Sequence, residues 1–270
     1  MRAGTSAESA PEAAAVIGHD RVTVLTTVFL LVIAVAAWAH VLFLPMGMDD
    51  MAGMEMSTRP RVGDGLAYVA AWAVMMAAMM LPSALPMIRL YAATQRNVAS
   101  SLEKAVRIGM FTLMYLGVWA LTGVPIYFAS VGLGAISAKA LAYGIASLLV
   151  VAGIFQLSPL KQACLRHCRS PLGFLFGHWR EGWRGGLEMG RAHALYCLGC
   201  CWALMIVLVV AGAMGLLWVL LIAGVVAAEK LLPRGEWIAR TTGVALLLLG
   251  VAVAVRPGLA VVLRAGGNSM

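Results

Sequence analysis

All five cysteines of this chain fall into two triplets of identical spacing: Cys164, His167 and Cys168, then Cys197, Cys200 and Cys201. Each triplet reads i, i+3, i+4, so an α-helix sets its three side chains on one face within about one turn. Thiolates and imidazoles grouped this way ligate soft or borderline transition metals, copper or zinc foremost. His193 sits one turn before Cys197. Met205 follows Cys201 by four residues, so Cys197, Cys201 and Met205 form a stripe about 12 Å long at the helical rise of 1.5 Å per residue. A lone cysteine is commonly a small buried hydrophobe. Five of five in matched triplets argue for ligation or redox work instead. A second cluster is thioether: Met75, Met76, Met79 and Met80, with Met87 two turns on. Met79 and Met80 are candidate Cu(I) ligands at a depth like that of Met205, set against the reading of methionine as a core gap-filler. A third, Met46, Met48, Met51, Met54 and Met56, shares a short segment with Asp49, Asp50 and Glu55. It reads either as a weak collector of Cu(I)-like ions, which His40 would assist, or as biased composition.

The elements that must position these residues are apolar helices. The sequence is 62% hydrophobic and 12% charged, with mean hydropathy +0.90, whereas soluble domains carry roughly 25% charged residues. Stretches of about 20 apolar residues, enough to cross the hydrocarbon layer, recur along the whole length. The expected fold is all-α: a polytopic helical membrane protein of about seven spans. They fall near Val22–Leu44, Leu66–Ile88, Ile108–Phe128, Leu141–Leu157, Leu195–Ala213, Gly215–Ala228 and Trp237–Val255. The fifth and sixth come from one long run divided at Ala211–Gly215, and the sixth is short. Pro82 and Pro86 are expected to break the inner end of the second span.

Only Arg59, Arg61, Lys139, Arg256 and Arg264, of 20 Lys and Arg, fall outside when the N-terminus is inside. The positive-inside rule thus orients the chain N-in and C-out, multi-pass in a bacterial cytoplasmic (inner) membrane, with the Cys/His loop 158–194 cytoplasmic. Residues 1–21 read as a disordered cytoplasmic N-terminus, 22–256 as one integral membrane domain, and 257–270 as a short tail. Ala37-Trp38-Ala39 resembles a signal-peptidase site, but the apolar run continues to Leu44, favouring an uncleaved anchor helix. The net charge of +8 comes without a basic cluster interleaved with aromatics, so nucleic acid is not an expected partner.

Within the loop, Ser158-Pro159 is a helix-start pattern and Pro171 ends that helix. Phe174, Phe176, Trp179 and Trp183 among Arg180 and Arg184 read as an interfacial stretch. Glu229-Lys230 reads as an interfacial anchor. The sequence shows no P-loop, GxGxxG, GxSxG or HExxH motif, so any transport would be passive, gradient-coupled or partner-dependent. The few acids near the cysteines argue against Ca²⁺ or Mg²⁺.

Several of these pieces together resemble a bacterial family of unknown function described as predicted metal-binding integral membrane proteins. They are Trp72 with Met79-Met80-Leu81-Pro82 and Pro86, Gln156-x-Ser158-Pro159-Leu160-Lys161-x-x-Cys164-Leu165-x-x-Cys168-Arg169-x-Pro171, Tyr196-Cys197-Leu198-Gly199-Cys200-Cys201-Trp202-x-Leu204-Met205, and Trp218 with Glu229-Lys230-Leu231. The resemblance spans about residues 66 to 250 and implies metal binding.

Three functions follow as expectations. One is handling of a soft metal, copper above all: transport, delivery or sensing, with a metal chaperone or membrane subunit as partner. Another is a thiol–disulfide carrier using Cys197-x-x-Cys200, disfavoured because the cysteines face the reducing side. The last is a structural subunit whose metal staples the loop to the fifth span. In each metal reading the triplets are expected to meet, so that Cys164 and Cys200 cross-link.

Overall fold

The computed structural model describes residues 21–43, 62–133, 137–210 and 216–265, and all regular structure in them is helical. The elements are α1 (Arg21–Phe43), α2 (Val62–Thr94), α3 (Ser101–Leu133), α4 (Ala138–Leu157), α5 (Pro159–Arg169), α6 (Pro171–His178), α7 (Gly182–Val210), α8 (Leu216–Leu231), α9 (Gly235–Val255) and α10 (Gly258–Ala265). The Met46–Met56 cluster, the first 20 residues and the division expected at Ala211–Gly215 lie outside the described residues.

Among the described residues six helices are long and apolar enough to cross a membrane: α1, α2, α3, α4, α7 and α9. The expected sixth span is also a helix, α8, but its 16 residues extend only about 24 Å, short of the ~30 Å hydrocarbon thickness. The count of about seven therefore resolves into six full-length helices plus one shorter. Exposure supports a lipid setting: Leu25, Phe29, Val35, Leu113, Leu121 and Leu248 present their side chains outward, a surface that a water-soluble monomer avoids.

Two tight helix pairs form the frame, α4 with α9 and α3 with α7. In the first, a Cβ on Gly153 would sit 2.8 Å from the Gly243 carbonyl oxygen. Glycine there lets the backbones approach, as small residues do between membrane helices. Helices α1, α2 and α3 pack in series beside this frame.

The prolines do not break α2, which runs 33 residues through both. The Met80 carbonyl, one turn past Met76 in this stretch, accepts from the Ser83 hydroxyl at 3.0 Å and from Tyr115 OH at 3.5 Å. Each proline forfeits one intrahelical bond, to the carbonyls of Ala78 and Pro82, and a membrane helix tolerates that loss where neighbouring protein encloses it.

Between α4 and α7 the chain makes two short helices. Ser158 caps α5, its Oγ accepting from the Lys161 amide at 3.2 Å with Pro159 in the first turn, as the sequence pattern predicts. Pro171 opens α6 directly afterwards. The expected interfacial aromatics divide: Phe174 is buried, while Phe176, Trp179 and Trp183 are exposed.

Candidate metal centre

Helix α5 places Lys161, Cys164, Leu165 and Cys168 at i, i+3, i+4 and i+7, a single stripe, and this stripe packs on α7. Lys161 and Leu165 are fully buried and the two cysteines half-buried. The close approach depends on Gly199, where a Cβ would lie 3.0 Å from Cys164 Sγ. One turn along, Cys168 Sγ comes to 3.8 Å from Cys200 Sγ. Cys200 Sγ in turn lies 3.4 Å from Cys201 Sγ and donates to the Cys197 carbonyl at 3.1 Å. The two triplets do meet, through Cys168 rather than Cys164. Cys197, Cys200 and Cys201 are all buried.

Cys197 has its own partners, on two other helices. Tyr115 OH on α3 is 3.1 Å from its sulfur, and Lys230 Nζ on α8 donates to it at 2.9 Å. Lys230 also reaches Ser83 Oγ at 3.4 Å and Met80 Sδ at 4.0 Å. The arrival of Lys230 is a matter of lengths. Cys197 precedes the end of α7 by thirteen residues and Lys230 follows the start of α8 by fourteen. Both therefore lie about 20 Å along their helices from the ends that face each other in sequence.

Beside the sulfurs lies an ionic group. Glu229 Oε2 accepts from Lys161 Nζ at 2.6 Å and Oε1 from Gln156 Nε2 at 2.8 Å, and all three side chains are buried. Glu229-Lys230 is thus no interfacial anchor. Both side chains turn inward because α5 and α7 supply their partners. Arg169 fastens the same corner, donating to the carbonyls of Leu232 at 2.7 Å and Pro233 at 2.8 Å.

The remaining candidates separate. His193 is buried among the rings of Phe111, Tyr115 and Phe174, and its Nδ1 has no hydrogen-bond partner among the described residues. His167 stacks on Tyr196 at 4.3 Å and bonds the Ala163 carbonyl through Nδ1 at 2.9 Å, away from the sulfurs. Met79 and Met80 are both buried, and Met80 is the one whose sulfur borders Lys230. Met205 lines an apolar groove of about 660 Å³ with Trp72, Trp119 and Trp202.

Among the described residues no three or more Cys, His, Asp or Glu side chains are gathered in a geometry that could hold one metal ion. The sulfurs approach in pairs. Burial pushes the Cys164 thiol up, and Cys168 is driven well up, chiefly by its hydrogen bond with Cys197. Metal uptake by these two would therefore release protons. Sequence reasoning missed Lys161, Tyr115 and the inward turn of Glu229 and Lys230. For the last pair the signal was present, since an ionisable residue closing an apolar helix is a site candidate in its own right. Tyr115 carried none.

Comparison with known proteins gives one family. The family model PpoB2, described as copper chaperone, matches residues 69–253, about two thirds of the chain and nearly the stretch over which the motifs resemble a metal-binding family. No curated protein and no solved structure matches. The chain belongs to this copper-chaperone family.

Proposed function

We propose that this member of the copper-chaperone family takes Cu(I) as its cargo at the thiols of α5 and α7 and passes it on from within a membrane. The observation that carries the reading is the close pair of half-buried Cys168 and buried Cys200, with Cys201 against Cys200. Soft thiolates select Cu(I), whereas structural zinc asks for four ligands around one point. Sulfurs that meet two at a time suit the first ion better than the second. Few ligands also let the ion leave. Half-buried Cys164 and Cys168 lie at the edge of the cluster, and Met80 at its far side offers a thioether. The positive-inside distribution supports a cluster on the cytoplasmic side, and in this reading the membrane is a bacterial inner membrane and the partner a metal-donating or metal-accepting protein.

Elemental analysis of the detergent-purified full chain tests this. Wild type should carry stoichiometric copper, and Cys200→Ser should lose it while melting at the wild-type temperature, since the hydroxyl keeps the bond to the Cys197 carbonyl. Absence of copper from both, with thiols that oxidise and reduce reversibly, would overturn it in favour of a thiol–disulfide carrier.

A further inference from the structure

Lys230 is a buried cation with soft company. Its ammonium donates to one sulfur and one hydroxyl and borders a second sulfur: Cys197 Sγ, Ser83 Oγ and Met80 Sδ. No carboxylate among the described residues forms an ion pair with it. The nearest in sequence, Glu229, is turned away with both oxygens taken by Lys161 and Gln156. An isolated ammonium is expensive to bury, so a charge kept there asks for a role. Cys197 leads on to the other thiols: Cys200 donates to the Cys197 carbonyl at 3.1 Å and its sulfur lies 3.8 Å from Cys168 Sγ and 3.4 Å from Cys201 Sγ, so the ammonium's field acts on them as well.

We propose that Lys230 sets the charge selectivity of the site, favouring monovalent thiophilic cations such as Cu(I) over divalent ones such as Zn²⁺. The inference rests on the proposed copper reading. A fixed positive charge repels an arriving ion in proportion to that ion's own charge, and the weak dielectric of a buried site enlarges the difference. A monovalent ion coordinated by the sulfurs meets this repulsion once, a divalent ion twice. Lys230 touches no metal in this scheme: it acts through Cys197, as a positioning and field-setting residue. Its effect also separates cleanly from the cost of deprotonating thiols. Replacing it changes that cost equally for metals that displace the same number of thiol protons, so Cu(I) and Zn²⁺ affinities are compared per proton released, and their ratio then retains only the charge effect.

The experiment is chelator competition with Cu(I), Ag(I) and Zn²⁺ on the detergent-purified full chain, wild type beside Lys230→Met. The Cu(I)-to-Zn²⁺ affinity ratio should fall at least tenfold in the variant, about 1.4 kcal/mol, while the Cu(I)-to-Ag(I) ratio stays put because both ions carry one charge. An unchanged Cu(I)-to-Zn²⁺ ratio overturns the assignment. So does a Cu(I)-to-Ag(I) ratio that shifts along with it, since that marks a change of shape rather than of charge. Should Lys230→Met not fold, Lys230→Gln keeps a donor near Cys197 without the charge and gives the same comparison. Wild type that binds no Cu(I) at all would instead sink the copper reading itself.

Discussion

Glu229 and Lys230 are successive residues of α8, yet they serve two regions of opposite character. Glu229 closes a group in which both carboxylate oxygens have buried partners, Lys161 and Gln156. Lys230 enters a region of sulfur, where the contacts run from 2.9 to 4.0 Å and the acceptors are weak. Hard charges compensated at short range hold helices together. Soft groups held only by weak, long contacts remain open to a thiophilic ion. The two regions share α5, whose stripe delivers Lys161 to one and Cys168 to the other, so the ionic group fixes the helix that presents the thiol.

The largest effect should come from attacking the closed region. Glu229→Ala leaves the Lys161 ammonium buried without a counter-charge, and breaking a buried pair in this way costs roughly 3–5 kcal/mol. Thermal unfolding in detergent should show a large drop in Tm, with copper lost because α5 no longer docks. A variant that melts like wild type would mean that Lys161 and Glu229 do not hold α5 in place. Next comes the border of the open region. Tyr115→Phe deletes the hydroxyl beside Cys197 Sγ while keeping the ring that packs on His193. Changes to groups that support ligands typically weaken metal affinity about 10–100-fold, and a loss in that range with little change in Tm is expected. A variant destabilised as strongly as Glu229→Ala would erase the distinction between the two regions.

How much of this was legible in the sequence differs between them. The triplet spacing pointed to both helices of the thiol cluster, and Ser158-Pro159 and Pro171 marked both ends of α5, because caps and prolines act locally. The span positions followed from apolar run length alone, and α8, the shortest run, is the one that falls short of a full crossing. Lys161 gave no such sign, and Glu229 gave only its place at the end of an apolar helix, with nothing to name its partner. They lie far apart in sequence, and only the packing of α5 against α7 and α8 makes them a pair. Pro82 and Pro86 misled for a related reason. Their cost is local, one helix hydrogen bond each, but whether the helix bears it depends on the helices packed around α2.

The smallest effect should separate the two methionines that the sequence offered on equal terms with respect to depth. Met205 extends the Cys197–Cys201 stripe along α7, but in the fold it faces the groove of Trp72, Trp119 and Trp202. Met80 brings its sulfur to the Lys230 ammonium at 4.0 Å, on the far side of Cys197. Leucine in place of either conserves volume well enough that stability should change by less than about 1.5 kcal/mol. Only Met80→Leu removes a thioether from the thiol region, so Cu(I) affinity should weaken there and stay at the wild-type value in Met205→Leu. If Met205→Leu weakened Cu(I) binding as much as Met80→Leu, the open region would extend along α7 into the tryptophan-lined groove. The boundary drawn here between a sulfur site and an apolar core would then have to move inward by about one helical turn.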